Sequence, residues 1–510
     1  MTRLTALTTA PLIAGLLVVS AAVARAADTA APFKDPAPPR VHAVADKPAV
    51  AKPVAYKRVK FHKAPAALSP SARTHAWTGF LGPTHNSVSS ETHLLKKWPK
   101  GGPNKVWELE AGEGYASPAI RHPWLVYPHR IANEVVVECL HAETGRLFWQ
   151  YKFPTSYRDK LGYSNGPRAT PVIDGNRVYI SSAEGFLFCL ELSTGRLVWR
   201  RDLSTEFKVP QDFFGSVGTP LLVGDRLVIN LGAPAGPSVA AFDKRTGRMV
   251  WGAGNKWGPS YASPMPATLN GQARVLVFAG GESRPSTGGL MVIDPASGKL
   301  EVEYFWRSRK YESVNASCPL DIGGNRIFIS ASYQTGSALL QIGKDFTSHK
   351  PLWKMVDSEH NTQPEELGLH WNTPLVKDGY LYGFDGRNEP DATLVCVDLK
   401  AGKVVWREAP EWDQTVTVMG IEQTLTLSTL RGSFLQADGH SLVLGELGQL
   451  LLMDLSPKGL KIVQRESLFL ARETWCPPVL SRGLLYISQN ARDPVTRTGP
   501  RLLCYDLRGK

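Results

Sequence analysis

A short pattern recurs along the chain at a spacing of 40–55 residues, and it constrains the fold more than any other feature. Each copy begins with Ser-Pro, Thr-Pro or Cys-Pro, continues with apolar runs, and ends with Gly-Arg or Gly-Lys followed by Trp. The clearest copies occupy residues 169–199 and 218–251. A period of this length indicates a repeat architecture, in which each copy is one unit of a continuous array.

Within residues 169–199, four short apolar segments alternate with turn signals such as Asp174-Gly175 and Thr194-Gly195. Asp-Gly and Thr-Gly pairs between apolar runs favour tight hairpins. Four antiparallel strands joined by short turns are the unit of a β-propeller blade. Seven blades are predicted to start at a proline and an eighth, without proline, near Phe434: the prolines are Pro118, Pro171, Pro220, Pro264, Pro319, Pro374 and Pro477.

The last copy ends near residue 508 without a fourth strand. Residues 104–109, which precede the first copy, have the pattern of that missing strand. We therefore predict an all-β fold: an eight-bladed β-propeller of four-stranded antiparallel blades, closed by an N-terminal strand that completes the last blade.

A tryptophan recurs at one strand position in most copies. Recurrence at a fixed position favours packing between neighbouring blades over binding of a ligand, because large aromatic side chains dominate core burial. The predicted blade-docking residues are Trp107, Trp149, Trp199, Trp251, Trp353 and Trp406.

Three segments differ in composition. Residues 1–26 have Arg3, an apolar stretch and an Ala24-Arg25-Ala26 cleavage site, which predicts a signal peptide, with an uncleaved anchor as the alternative. Residues 27–75, rich in Ala, Pro and Lys, predict a disordered basic linker. Residues 76–510 are the predicted propeller.

The linker carries a net charge of +6 out of +12 for the whole chain, and residues 1–26 carry +2. The remaining chain is therefore close to neutral, which argues against binding to nucleic acid. The basic tail is expected either to contact an anionic envelope surface weakly or to be a solvated spacer.

The six cysteines do not suggest disulfides or a metal site. Four of them, Cys139, Cys189, Cys396 and Cys504, occupy one repeat position in different blades, and they are expected to be buried small hydrophobes. Cys318 and Cys476 share a second position, before proline. No Cys-x-x-Cys motif and no paired Cys/His spacing is present, so no metal is expected.

The meander places short turns on one face of the ring and long, variable loops on the other. Binding usually resides in long loops on a rigid scaffold, so we expect the long-loop face to be functional. A planar or anionic small ligand would suit its aromatic and polar residues, although the same residues could instead plug the channel. The predicted ligand or partner residues are Tyr115, Tyr163, Asn165, Arg168, Phe214, Tyr261, Arg284, His370, Trp371, Asn372, Arg387 and Trp475.

The copies resemble the pyrroloquinoline-quinone (PQQ)-type propeller repeat, with its core Asp-x-x-Thr-Gly-x-x-x-Trp. The core stands here at residues 191–199, 243–251 and 398–406, and the resemblance covers residues 104–508. Residues 77–99 resemble the leader of a bacterial subgroup of exported proteins with this propeller. The resemblance implies the fold firmly and the activity weakly, because propellers host many functions.

Two functions follow from the resemblance. Quinoprotein alcohol dehydrogenases hold PQQ and Ca²⁺ in the channel, use a carboxylate base, and characteristically carry adjacent cysteines, which this chain lacks. Glu113, Asp212 and Glu366 lie in plausible loops but match no catalytic motif. An outer-membrane assembly lipoprotein of the same fold is a non-catalytic scaffold, and it needs a lipidated Cys after its signal, whereas the first Cys here is Cys139.

The sequence therefore favours an exported, non-catalytic propeller that binds a protein partner or a small ligand on its long-loop face. The alternative is a PQQ-dependent dehydrogenase that oxidises an alcohol or a sugar. We expect a monomer in the periplasm or secreted, not a lipoprotein, without a cofactor unless the enzyme alternative holds, and without nucleic acid as a partner.

Overall fold

The computed structural model describes residues 33–45, 47–356, 365–387, 392–418 and 420–509. The predicted signal peptide lies outside the described residues, as do residues 27–32 and 46 of the predicted linker. Three strands precede the first blade: β1 (Val59–Phe61), β2 (Val88–Ser89) and β3 (Asn104–Glu110).

The next strands form six consecutive four-stranded antiparallel sheets, which are blades 1 to 6. Blades 1 to 3 contain β4 (Ala119–Arg121), β5 (Trp124–Ile131), β6 (Glu134–His141), β7 (Leu147–Pro154), β8 (Val172–Asp174), β9 (Arg177–Ser181), β10 (Phe186–Glu191), β11 (Leu197–Asp202), β12 (Leu221–Val223), β13 (Arg226–Asn230), β14 (Val239–Asp243) and β15 (Met249–Ala253). A single-turn helix, α1 (Leu203–Phe207), follows β11.

Blades 4 to 6 repeat the arrangement. Their strands are β16 (Met265–Leu269), β17 (Gln272–Ala279), β18 (Gly289–Ile293), β19 (Leu300–Phe305), β20 (Leu320–Gly323), β21 (Arg326–Ala331), β22 (Gly336–Ile342), β23 (His349–Met355), β24 (Leu375–Lys377), β25 (Tyr380–Asp385), β26 (Thr393–Asp398) and β27 (Lys403–Glu408).

Between blades 6 and 7 the chain forms a two-stranded antiparallel hairpin, β28 (Glu411–Val418) and β29 (Ile421–Ser428). Blade 7 contains β30 (Ser433–Ala437), β31 (His440–Leu444), β32 (Gln449–Ser456) and β33 (Gly459–Ser467). Blade 8 contains β34 (Val479–Ser481), β35 (Leu484–Gln489) and β36 (Arg501–Asp506).

The predicted closure of the ring is confirmed. Strand β3 pairs antiparallel with β36, with Trp107 opposite Cys504, and so supplies the fourth strand of blade 8. The first strands of neighbouring blades contact each other, β4 with β8, β12 with β16 and β16 with β20, which places them around the central channel. The fold is the predicted all-β, eight-bladed propeller.

The six predicted docking tryptophans lie at the seams between blades. Each indole N–H donates to a backbone carbonyl of the next blade, at N···O distances of 2.8–3.3 Å. The turn glycine of the next blade lies against the indole, because a Cβ on Gly195 or Gly247 would lie 2.5 or 2.7 Å from Trp149 or Trp199. Both glycines have φ near +70°, which a side chain would disfavour. The repeated Thr-Gly and Trp thus form one contact, split between adjacent blades.

All six cysteines are buried and free, in agreement with their interpretation as small core residues. No helix in the described residues is long and apolar enough to cross a membrane.

Residues 33–45 and 47–75, called the strap below, differ from the predicted disordered linker because they follow the propeller. Asp35 accepts hydrogen bonds from the Arg201 guanidinium and the Met249 amide, at 2.7 and 2.8 Å, between blades 2 and 3. The His42 amide donates to the Val198 carbonyl of blade 2 at 2.9 Å. Local composition predicts disorder here because it does not register the unpaired edge strands that the blades offer to a passing chain.

The strap continues under blade 1 and ends on blade 8. Val54 forms a β-bridge with Leu147, and β1 pairs with β3. The Tyr56 hydroxyl donates to the fully buried Glu138 carboxylate at 2.5 Å. The Ala43 and Pro53 carbonyls accept from Arg196 and Arg146, so this middle part of the strap runs beside the short turns of blades 2 and 1. The start of the strap differs, because Phe33 lies against Gly236 and Gly252 at the long-loop end of blade 3.

Residues 77–89 cross the channel at the ends of the first strands. Trp77 exchanges backbone hydrogen bonds with Ile120 of blade 1, and the Thr78 carbonyl accepts from Ile173 of blade 2. Strand β2 then pairs in parallel with β30 of blade 7. The first strands end here at their short turns, so this segment closes the short-turn end of the channel. We call residues 77–89 the plug.

Candidate functional site

The channel contains a cavity of about 390 Å³. Phe80, Leu81 and Ser87 of the plug form part of its lining, so the plug is the floor. The walls come from residues that lead into the first strands of the blades, and the mouth comes from long loops. Ten of the twelve predicted site residues line this one cavity: Tyr115, Tyr163, Arg168, Phe214, Tyr261, His370, Trp371, Asn372, Arg387 and Trp475.

A continuous chain of rings runs around the cavity. Tyr261 stacks on Trp371 with centroids 5.5 Å apart and planes inclined by 27°. Tyr163 and Trp371 are 39% and 37% exposed, so their rings reach the mouth. The neighbouring centroids lie 5.0–5.8 Å apart along Tyr115, Trp475, Tyr163, Phe214, Tyr261, Trp371, His370 and Tyr333.

Arg168 is held in place on one side of the cavity. Its guanidinium donates to Asp159 at 2.5 Å and to the Ser164 carbonyl at 2.8 Å. The same group lies over the Tyr115 ring, 5.0 Å from its centroid. The Tyr115 hydroxyl donates to Glu473, and burial with this carboxylate raises the pKa of Tyr115, which keeps the phenol neutral.

Arg431 and Glu446 fix the opposite side, next to Trp475. The Arg431 guanidinium bonds Glu446 Oε1 at 3.0 Å, and the Trp475 indole N–H donates to the same oxygen at 2.5 Å. Arg431 also donates to the Arg387 carbonyl at 2.8 Å. The Arg387 guanidinium lies over the Tyr333 ring, 4.2 Å from its centroid. The arginines thus present planar faces beside aromatic rings, with their charge partly balanced by protein carboxylates.

His370 differs from these groups. It is 7% exposed and lines the cavity, and the backbone of Arg387 lies close enough to interact with its ring. Burial, with the neighbouring charges of Arg431 and Arg387, lowers the pKa of His370 well below its ordinary value of 6.5. The imidazole is therefore neutral at neutral pH and retains one donor and one acceptor.

A pair of carboxyl groups lies behind the mouth. The Tyr261 hydroxyl donates to Glu282 at 2.7 Å and accepts from the Phe214 amide at 3.1 Å. Burial and the adjacent Glu282 raise the pKa of Asp212 to about 7. The two carboxyl groups therefore share a proton in acid and repel each other as the pH rises.

Two predicted residues do not line the cavity. The Asn165 side-chain amide donates to Glu113 at 3.2 Å, and its oxygen accepts from the Asp159 amide at 2.9 Å, so it shapes a loop. The Arg284 guanidinium lies 4.1 Å from the Tyr311 ring centroid. Arg130, another arginine on this face, donates to backbone carbonyls of Ala132, Tyr157 and Asn165.

Sequence reasoning missed three parts of the lining. Arg431 leads into the first strand of blade 7, as the predicted residues do in other blades, but that blade lacks the proline that marks the register. Phe80 and Leu81 lie in the plug, where no periodicity signals a position in the channel. Tyr333 follows β21 in a turn whose sequence resembles the short turns.

The comparisons agree with this architecture. A profile of the family described as outer membrane protein assembly factor BamB matches residues 132–408. The assembly factor BamB of Moranella endobia (strain PCIT) is 23% identical over 284 residues, which cover 54% of this chain and 65% of that protein. The dehydrogenase subunit of an alcohol dehydrogenase (quinone) from Gluconacetobacter polyoxogenes is 29% identical over 126 residues, 23% of this chain and 17% of that protein.

Among solved structures, the quinohemoprotein alcohol dehydrogenase of Comamonas testosteroni superposes with a TM-score of 0.58 at 14% identity, covering 85% of this chain and 81% of that one. This likeness shows the fold alone. The chain spans less than two thirds of the length of either curated relative above. The matched profile covers more than half of the chain, and the protein belongs to the PQQ_2 propeller family, described as outer membrane protein assembly factor BamB.

Proposed function

We propose that the protein is an exported, non-catalytic propeller scaffold that binds a protein partner or a small ligand at its long-loop face, with the aromatic cavity as the recognition site. The observation that carries this proposal is the convergence of ten predicted residues on one cavity that the plug floors. A cavity of about 390 Å³ falls in the range of ligand sites, roughly 300–1,000 Å³.

The chemistry of the lining supports binding by stacking. Its rings offer planar faces, and Arg387 and Arg168 add guanidinium planes over Tyr333 and Tyr115. Stacking and cation–π contacts each favour a flat group, such as an aromatic or guanidinium side chain of a partner or a planar small molecule. The neutral imidazole of His370 would supply one hydrogen bond to that group.

The lining does not fit the Ca²⁺ that the dehydrogenase relatives imply. Calcium takes about six to eight oxygen ligands, several of them carboxylates. The carboxylates among the described lining residues are Glu312 and Glu446, and Glu446 is already bonded to Arg431 and Trp475. No group of three or more His, Cys, Asp or Glu in the described residues is arranged to hold a metal ion. This donor set favours the scaffold over the enzyme.

The names of the relatives support one part of this proposal, the protein partner. The family description and the Moranella endobia relative name an assembly factor, which supports a protein partner for the cavity face. The predicted signal at residues 1–26 supports export.

A site-specific photo-crosslinking experiment tests the proposal. A benzophenone amino acid at Trp371 or Tyr163 should give a discrete adduct in cells, because both rings reach the mouth. The matched control is Phe305, an aromatic that is 59% exposed on the outer strand of blade 4. Arg387→Ala should remove the adduct without lowering the melting temperature. Equal adducts from Phe305 and Trp371 would contradict a site at the cavity.

The enzyme alternative has a separate readout. The purified protein is incubated with PQQ and Ca²⁺, and the melting temperature and dye reduction with an alcohol are measured. The scaffold proposal expects no reduction and no shift, whereas ligand at 100 times Kd would stabilise by about 2.7 kcal/mol. Dye reduction that Glu446→Gln abolishes would establish the dehydrogenase.

A further inference from the structure

The short-turn face carries exposed cations at repeated positions. In five blades the residue after the turn glycine that precedes the fourth strand is an exposed Arg or Lys: Arg146, Arg196, Arg248, Lys299 and Lys403. The seam contact fixes the glycine, so the following side chain projects from the same turn in each blade. The repeat that builds the ring therefore also places a cation at the edge of the short-turn face in these blades, alongside exposed acids such as Asp225 and Asp378 in the other short turns.

The strap adds a second set of cations to this side. Its exposed basic residues are Lys34, Arg40, Lys47, Lys52, Lys57, Lys60, Lys63 and Arg73. The acid among the described strap residues, Asp35, is turned inward and pairs with the fully buried Arg201 at 2.7 Å. The described acid of the strap is thus neutralised by an ion pair with a blade, whereas the basic residues of the strap are exposed to solvent.

Apolar side chains are exposed between these cations. Val41, Val50, Val54 and Phe61 are 47%, 62%, 58% and 50% exposed, although the strap backbone is bonded to the blades. Basic residues interleaved with exposed apolar ones are the pattern of surfaces that lie in the headgroup region of a membrane.

We propose that the strap and the short turns beside it dock the protein onto an anionic lipid surface, with the cavity mouth facing away from that surface. The plug and the middle of the strap lie on the short-turn side, and the cavity opens on the long-loop side, so docking leaves the recognition site accessible. This inference rests on the strap and the turns and not on what the cavity binds.

The spacing of the strap cations favours lipid over nucleic acid. Successive exposed strap cations from Lys34 to Lys63 are three to seven residues apart, which in an extended chain is roughly 10–23 Å. Duplex DNA carries a charge about every 1.7 Å along its axis, so such widely spaced cations would neutralise few phosphates. Anionic headgroups diffuse laterally and gather at each cation. Exposed valines also suit an interface better than the base stacking on aromatic rings that single strands require.

Vesicle co-sedimentation tests the proposal with the purified chain. Vesicles of phosphatidylglycerol and phosphatidylcholine should bind the protein, pure phosphatidylcholine should not, and binding should weaken as salt rises. Each basic residue near an anionic membrane contributes roughly five-fold in affinity. The combined variant Lys47→Gln, Lys52→Gln, Lys57→Gln and Lys60→Gln should therefore weaken binding by roughly 600-fold, and a loss smaller than about ten-fold would contradict the proposal.

The matched control removes the same charge from the long-loop side. It combines Lys152→Gln, Lys208→Gln, Lys256→Gln and Arg309→Gln, all exposed residues at the ends of outer strands or between blades. The control should bind vesicles like the wild type, and both variants should melt at the wild-type temperature. Equal weakening by both variants would show that net charge alone drives binding and would overturn the proposal.

Orientation is read by fluorescent labels. The six native cysteines are buried, so a cysteine introduced at Val50 or Leu161 can be labelled selectively with an environment-sensitive dye. Val50 lies in the strap, and Leu161, 56% exposed, lies at the cavity mouth. On anionic vesicles the fluorescence emission of the Val50 label should shift to shorter wavelength, and the emission of the Leu161 label should stay unchanged. A shift at Leu161 alone, no binding to anionic vesicles, or tighter binding to duplex DNA than to vesicles would each refute it.

Discussion

The molecule uses tryptophan in two ways, at the seams between blades and around the cavity. Trp199 is 1% exposed, lies against Gly247 and donates its N–H to the Lys244 carbonyl of the next blade. Trp371 is 37% exposed and stacks on Tyr261 at the mouth. The first position recurs in most blades and the second does not. Recurrence in a repeat therefore marks the framework, and departure from it marks the candidate site.

The strongest test of this comparison removes one indole from each region. Trp199→Ala should lower the free energy of unfolding by roughly 3–5 kcal/mol, because it leaves a cavity between two blades. Trp371→Ala should cost less than about 1 kcal/mol, since its ring is partly solvated already. Urea denaturation followed by circular dichroism measures both. Equal losses would remove the distinction between seam and site.

The turn glycine tests the seam from its other side. Gly247→Ala and Gly175→Ala both place a side chain at positive φ, +66° and +55°, so both carry similar backbone strain. A Cβ at Gly247 would also lie 2.7 Å from the Trp199 ring, whereas Gly175 has no heavy atom within 4 Å. The Gly247 variant should therefore be less stable than the Gly175 control by about 1–3 kcal/mol. If the two variants have the same free energy of unfolding in urea, the contact between Gly247 and the Trp199 indole does not contribute to stability.

Asp212, behind the cavity mouth, should make the stability of the protein depend on pH, whereas the tryptophan contacts at the seams should not. The pKa of Asp212 is raised to about 7, so its protonated form contributes stability that is complete below about pH 4 and is lost as the pH rises through 7. Asp212→Asn should abolish this component. Melting temperatures at pH 5 and pH 8 measure it as the difference between wild type and variant, which cancels the other titrating groups. A variant with the pH dependence of the wild type would place the effect elsewhere.

The ring can be predicted from the sequence because the same pattern of strands and turns is repeated in eight copies. The strand at residues 104–109 was recognisable as the missing fourth strand for that reason. The residues that lead into the first strands can be assigned to one rim of the channel, because the chain enters the first strand of every blade from the same face of the ring. For this reason the sequence alone places Tyr115, Tyr261 and Trp371 on one rim of the channel.

The remaining parts depend on contacts that no local pattern encodes. The strap has the composition of a disordered chain. Its contacts are with the outer strands of the blades and with buried charges such as Arg201, which lie far away in sequence. The plug has no periodicity because it crosses the blades instead of joining them. Arg431 follows the rule for the rim, but its blade lacks the proline from which the rule was read.

The pairing of β3 with β36 makes the fold dependent on chain length. These strands are separated by about 390 residues, so the ring cannot close until β36 has been made. A product that stops before residue 501 would leave β3 without its main partner and expose an open sheet edge, which is the surface that aggregates or attracts proteolysis. The pairing of β3 with β36 therefore distinguishes chains that contain β36 from chains truncated before it, and no dedicated sequence is needed for this distinction.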